Sequence, residues 1–283
     1  MKIALINENS QNSKNPMIEA ALKKVVEPMG HTVFNYGMYA DADSKPLTYV
    51  QNGILAAVLL NSGAADYVVT GCGTGEGAML ACNSFPGVLC GHVADPLDAY
   101  TFAQVNDGNA VAMPFALKNG WGQELNLEYT FEKLFGFGSG NGYPAERVEP
   151  EQRNKKILDG VRAVTMRPLV DVLGEIDQDL VKGALAGEHF QEYFFANATD
   201  EAIINAAFRD AKAGYTHYGD PKGDPELISA VCGAWLFAVY RLTPRGQAPC
   251  TKGLTRARRQ SCSRRRWRRG CCRTCWHRPT RGW

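Results

Sequence analysis

No apolar run in the 283 residues approaches the roughly 18 that a membrane-spanning helix requires; the longest, Leu227–Tyr240, falls short. The amino terminus, Met1-Lys2-Ile3-Ala4-Leu5-Ile6, is apolar too briefly for a secretion signal and reads as a first strand. Histidine is scarce, at five residues, and no His, Cys, Asp or Glu cluster in the body has metal-ligand spacing, so no metal is expected. No Gly-Lys-Ser/Thr follows the glycine-rich segments, which excludes a Walker-type nucleotide loop. Acid is missing altogether beyond Glu226. Arg241–Trp283 carries 13 Arg and 1 Lys, so the formal net charge of +2 leaves residues 1–240 at −12. An acidic body argues against a nucleic-acid-binding core and leaves any anionic ligand to a local site. The expectation is a soluble cytoplasmic protein with no membrane and no nucleic-acid partner for its folded body.

The nine cysteines divide with the charge. Cys72, Cys82, Cys90 and Cys232 lie within strand and helix patterns and read as free thiols of a reducing compartment. Cys250, Cys262, Cys271, Cys272 and Cys275 lie in the tail, where the one Cys-x-x-Cys, beside His277, has no second pair to complete a zinc site. Arg, Cys, Trp and Gly strung together without hydrophobic periodicity are what out-of-frame translation of a GC-rich gene yields. Residues 243–283 are therefore expected to be non-native or disordered.

What is present centres on Asp66-Tyr67-Val68-Val69-Thr70-Gly71-Cys72-Gly73-Thr74-Gly75-Glu76-Gly77, followed by the helical Ala78-Met79-Leu80-Ala81-Cys82-Asn83. A β-branched strand passes through alternating glycines into a helix, bringing backbone N–H groups to a helix N-terminus where they can hold an anion. The turn thus forms an anion cradle containing a thiol and a hydroxyl.

Around it the chain alternates. Strands are predicted at Ile3–Ile6, His31–Tyr36, Asp66–Thr70, Gly87–Gly91 and Ala110–Met113. Helices are predicted at Pro16–Met29, Tyr49–Asn61, after the cradle, at Pro96–Val105 and at Leu117–Phe135. This pattern predicts an α/β fold, a doubly wound five-stranded parallel sheet of Rossmann-like or flavodoxin-like type, over residues 1–143. Gly136–Gly142 reads as a flexible loop, residues 144–164 as a basic connecting helix, and residues 165–242 as a helical extension, including an apolar helix at Asp224–Leu242. In the extension, Thr199-Asp200-Glu201 marks a helix start, and Phe190, Tyr193, Phe194 and Phe195 line either a lid or a core. Ligands of such sheets sit outside the carboxyl ends of the strands. That gathers Glu8 and Asn9, Cys72–Gly77, His92 and Asp95, with Asn106 and Asp107 needing a loop that reaches back; one cleft is expected to hold them all.

Gly71-Cys72-Gly73-Thr74-Gly75, Ala81-Cys82-Asn83, Pro86-Gly87-Val88 and Gln104-Val105-Asn106-Asp107-Gly108-Asn109, at these separations, resemble the ribose-5-phosphate isomerase B and galactose-6-phosphate isomerase family. The resemblance covers roughly residues 1–160. It implies a homodimer with an active site shared between subunits, and cofactor-free aldose–ketose interconversion of a small sugar phosphate. Carried over by position, Cys72 matches the thiol base, Thr74 a hydroxyl that assists ring opening, and the Gly73–Gly77 amides an enediolate site. Asn106 matches a residue holding the reacting end of the sugar, and Arg147, Arg153, Lys155 and Lys156 are candidate phosphate ligands. A thiolate is favoured at a helix N-terminus, and amides aimed at developing charge form a large catalytic term. The substrate-binding set is thus Glu8, Asn9, Gly71, Gly73, Gly75, Gly77, Asn83, His92, Asn106, Asp107, Arg147 and Arg153.

The departures are informative. Glu8-Asn9 stands where the family carries Asp-His, Val105 where it carries the ring-opening histidine, and Arg153-Asn154 where it carries Arg-His; an arginine expected after the fifth strand is absent, with Lys118 nearby. An isomerase whose substrate cannot close into a ring needs no ring opener, and a tetrose 4-phosphate, its O4 blocked, is such a substrate. Of the remaining polar residues, Glu76 serves either as a base beside Cys72 or as a helix-dipole partner. Asp95 before Pro96 reads as an N-cap, and Asp41 and Asp43 as loop decoration. Two function classes follow: an isomerase, or a non-catalytic sugar or sugar-phosphate binding protein that keeps the cradle without complete acid–base machinery.

Overall fold

In the computed structural model, residues 1–39, 45–117, 120–187 and 189–209 are described. Among them, Lys2–Ile6 (β1), Thr32–Asn35 (β2), Tyr67–Cys72 (β3), Cys90–His92 (β4) and Ala110–Pro114 (β5) form one sheet in the order β2-β1-β3-β5-β4, every pairing parallel. Side chains alternate across it, as the period of two requires. Ala4, Ile6, Val68, Cys72, Ala110 and Ala112 join one core; Ile3, Leu5, Val69, Val111 and Met113 join the other. Burial on both faces explains why these strands read as continuous apolar runs.

The second core is closed by Asn15–Val26 (α1), by Pro96–Thr101 (α4) and by Gln123–Phe135 (α5), whose Leu127, Phe131 and Leu134 are buried. The first is closed by Tyr49–Asn61 (α2) and Glu76–Asn83 (α3). Thr48 and Gln51 start α2 with a reciprocal capping box. Gly53 brings α2 against α3, since a Cβ there would lie 2.7 Å from the Ala81 carbonyl oxygen.

Val148–Thr165 (α6) follows, then Leu169–Glu175 (α7), Gln178–Leu185 (α8), Phe190–Asn197 (α9) and Glu201–Ala207 (α10). The last four add to the α2 face. Phe190 and Phe194 are fully buried against Tyr36 and Phe208, so these aromatics serve packing, while Phe195 is half exposed. Lys2 Nζ donates to the Gly63 and Asn197 carbonyls, and the Thr199 and Asp200 amides donate to Ser62 O at 2.7 and 3.1 Å. Asp200 caps α10, at the helix start read from the sequence. Among the described residues no helix is long and apolar enough to cross a membrane. The Asp224–Leu242 helix and the basic tail lie outside the described residues.

Several boundaries differ from expectation. Helix α5 begins at Gln123, not Leu117, because Gly122 enters the left-handed region (φ +82°) and resets the chain. Strand β4 is shifted to Cys90–His92: Gly87 turns at φ +75°, and the Asn109 side chain captures the Leu89 amide at 2.8 Å. Helix α4 ends at Thr101 and widens into a π turn, Phe102–Asn106. The Gly136–Gly142 segment is pinned to that turn: Gly140 and Gly142 amides donate to Ala103 O and Gln104 O, and Gln104 Nε2 donates to Gly138 O.

Candidate active site

The chain leaves β1 for β2 on one side and returns to β3 on the other, so the crevice of the sheet lies between the carboxyl ends of β1 and β3. Glu8 follows β1 directly. Its buried carboxylate accepts from the Ser10 amide (2.9 Å) and hydroxyl (2.5 Å), opening a 3-10 turn over Asn9–Lys14. Asn9 is exposed, and its amide donates to Leu47 O at 2.7 Å, tying this turn to the start of α2.

Cys72 ends β3 opposite Pro114, a free thiol 8% exposed. Gly71 beside it admits no side chain: a Cβ would overlap the Met113 carbonyl and the Phe115 ring. Thr74 is exposed, with Oγ1 accepting from the Glu76 amide at 3.3 Å. Gly75, at φ +81°, is the N-cap of α3 and has no side chain to offer, so beyond the Glu76 amide held by Thr74 the first-turn amides stay available to an anion. Glu76 is exposed in that first turn. Gly77 lies against Tyr49, whose ring would be 3.3 Å from a Cβ at that position.

His92, at the end of β4, places Nε2 2.9 Å from the Thr74 carbonyl. A carbonyl only accepts, so Nε2 carries a proton in this contact. The imidazole also presses on Gly75, where a Cβ would lie 2.8 Å from Cδ2. His92 thereby braces the cradle from behind. A free thiol beside a glycine-rich helix start is an arrangement suited to removing a proton next to a carbonyl while holding the resulting oxyanion.

The expectation that one cleft of one chain holds every candidate is corrected by the topology. Asn106 and Asp107 end the π turn at the amino end of β5, and Asn109 O pairs with Val68 N at the start of β3. From Val68 to Cys72 is four residues, about 13 Å of strand, so within one chain Asn106 lies at the far end of the sheet from the thiol. Asp107, at φ +48°, accepts from the Ser139 hydroxyl. Asn83 sits at the far end of α3, where its amide donates to Cys90 O (2.8 Å) and accepts from Cys90 N (3.0 Å), clasping helix to strand. Arg147 and Arg153 are exposed; Arg153 borders an open groove of about 380 Å³ shared with Glu149, Gln152, Lys156 and Ile157. Lys155 pairs with Asp159 along α6. Asp41, Asp43 and Lys118 lie outside the described residues.

The structure adds residues the motifs did not indicate. Gln11 Nε2 lies 3.9 Å from the position of a Cβ on Gly73, and Gln11 Oε1 accepts from Lys14 Nζ at 2.7 Å. Lys14 Nζ also donates to Phe115 O at 2.5 Å, and the Phe115 amide donates to Cys72 O at 2.9 Å. Burial pushes the Lys14 ammonium below its ordinary pKa. A sequence signal existed: a lysine directly before a proline-started helix, where an acid or a capping oxygen is the usual choice.

The sequence matches the model of the ribose/galactose isomerase family over residues 3–133, and a model described as ribose-5-phosphate isomerase over residues 164–207. A solved 4-deoxy-L-threo-5-hexosulose-uronate ketol-isomerase, complexed with a tartrate, is 61% identical with a TM-score of 0.73; the match covers 74% of this chain and 98% of that one. A ribose-5-phosphate isomerase from Vibrio parahaemolyticus is 48% identical with a TM-score of 0.71, again over 74% of this chain and 98% of the other. No curated protein matches.

Proposed function

The chain belongs to the ribose/galactose isomerase family, and from that premise we propose that it is an aldose–ketose isomerase acting through an enediolate, with Cys72 as the base. Cys72 takes a proton from the carbon beside the carbonyl, the Gly73–Gly77 amides hold the enediolate oxygen, and the proton returns to the neighbouring carbon. This sequence needs no cofactor. The observation that carries it is the junction of a free thiol with an uncapped helix start across Gly73–Gly75. Thr74 is the hydroxyl within reach of the same point, and Glu76 faces solvent as a dipole partner of α3.

For substrate, we favour an open-chain sugar acid of the kind named for the 61% identical relative, a 4-deoxy-5-keto-hexuronate. Lacking a hydroxyl on C4 and carrying a carbonyl at C5, such a compound has neither of the hydroxyls that close a furanose or a pyranose. Val105, in place of the family's ring-opening histidine, fits that chemistry. A pentose or tetrose phosphate is the second reading; the name of the 48% identical relative, a ribose-5-phosphate isomerase, favours the pentose.

We further propose a cytoplasmic homodimer in which the second copy brings Asn106 to the thiol. Helix α6 buries none of its residues within the chain, yet Ile157, Leu158, Val161 and Val164 are 58, 43, 53 and 87% exposed. Bare apolar side chains on an 18-residue helix are what a subunit interface covers.

The test is deuterium uptake from solvent water at C1 and C2 of the 4-deoxy-5-keto-uronate, ribose 5-phosphate and erythrose 4-phosphate. Uptake confined to the uronate, and lost in Cys72→Ala, is expected. Uptake from a phosphate alone would move the substrate to the second reading. No uptake from any sugar by folded protein would leave a non-catalytic sugar-binding protein.

A further inference from the structure

The turn between β1 and α1 holds a charge that the enediolate chemistry leaves unused. We propose that Lys14 receives the carboxylate at the far end of the open-chain substrate, and so sets the preference for acidic over neutral sugars. The proposal rests on the uronate-isomerase reading above.

An ammonium has three N–H donors, and two of those on Lys14 go to uncharged acceptors, Gln11 Oε1 and Phe115 O. Among the described residues it has no carboxylate partner. The two acids nearest in sequence are engaged elsewhere: Glu19 with Lys23 and the Asn35 side chain, and Glu8 with Ser10. The side chain is half-buried, and burying a cation beside neutral oxygens alone is unfavourable; desolvation already depresses its proton affinity. Nor does the helix ask for it. Lys14 occupies the N-cap of α1, where its side chain caps nothing and a positive charge opposes the helix dipole. A fixed anion would supply what the site lacks.

The position suits the length of the ligand. Lys14 joins the β1 turn to the end of β5, next to Cys72 through Phe115 and next to Gly73 through Gln11. The amide width of Gln11 separates the ammonium from the cradle. Five carbon–carbon bonds of about 1.5 Å each separate C1 of a hexuronate from its carboxyl carbon. With the aldehyde end at Cys72, the chain is long enough to bring that carboxylate towards Lys14.

The experiment compares kcat/KM for the 4-deoxy-5-keto-uronate and for its uncharged methyl ester in wild type, Lys14→Met and Lys14→Arg. In Lys14→Met the acid-to-ester ratio is expected to fall by about 10- to 100-fold, the worth of one charge-assisted hydrogen bond; Lys14→Arg keeps most of the ratio. A ratio that survives in Lys14→Met, with both substrates slowed together, would make Lys14 a clasp between two loops and overturn the proposal. Tartrate titration by calorimetry separates the two readings. If neither substrate turns over but tartrate binds at least tenfold more weakly to Lys14→Met, the isomerase assignment fails and the anion site stands. If neither substrate turns over and tartrate binds both proteins equally, or neither, the anion site fails as well.

Discussion

The two ends of the sheet are built from different materials. At the carboxyl end, glycines let the backbone lie against a carbonyl and aromatic rings around a buried thiol: Gly71 on the Met113 carbonyl and the Phe115 ring, Gly75 on the His92 ring, Gly77 on the Tyr49 ring. At the amino end, Asn106 and Asp107 stand exposed on a π turn, propped by hydrogen bonds from the Gly136–Gly142 segment. The first end has the thiol and the glycine-rich helix start but lacks Asn106; the second has Asn106 but no thiol. Residues that belong to one motif set in the sequence are thus separated in one chain by the length of a strand. Under the proposed function, each end is half of a reaction centre, and α6, with its bare apolar side chains, is the element that brings a second copy's half across.

Substitutions at the carboxyl end carry the largest expected effects. Cys72→Ala is expected to reduce turnover by about 10²- to 10⁴-fold, the range for loss of a positioned base, with unchanged circular dichroism. Residual turnover within tenfold of wild type would pass the role of base to Glu76 or Glu8. Gly75→Ala forces a side chain into the left-handed region and against the His92 ring, displacing the cradle. A loss of about 10²-fold in kcat is expected from the misplaced amides, together with about 1–3 kcal/mol of strain seen in thermal unfolding. A neutral outcome would mean that the amides at this helix start do not hold the enediolate.

The smallest catalytic effect is expected at Asn83, because its amide is committed to Cys90. Asn83→Ala leaves two backbone groups unpaired and should cost about 2 kcal/mol, or roughly 5 °C in Tm. Its kcat/KM is expected to stay within threefold. A large KM increase at normal Tm would return Asn83 to the substrate site.

The architecture was legible in the sequence because burial on both sheet faces leaves five short apolar runs, and because Asp95 and Asp200 announce helix starts through the caps they form. The cradle was legible because its glycines are irreplaceable locally. Boundaries set by distant side chains were not: β4 starts late because Asn109, 20 residues away, holds Leu89, and α5 starts late because Gly122 turns left-handed. Lys14 was missed because the acceptor that ties it to the site, Phe115 O, comes from 101 residues along the chain. The separation of Asn106 from Cys72 was missed because helix α4 runs back along the sheet, which carries a residue after β4 to the opposite end before β5 begins.

The most direct test mixes two inactive proteins. Cys72→Ala and Asn106→Ala chains, each expected to be impaired by at least about 10²-fold as a homodimer, are unfolded together, refolded and assayed for uronate turnover. If the two ends of the sheet meet across subunits, a mixed dimer contains one centre with both Cys72 and Asn106. Half of the dimers are mixed on random pairing, so about a quarter of the wild-type activity per chain should return. Mixed dimers that form, as confirmed by tagged-chain capture, yet restore no activity would contradict the shared centre.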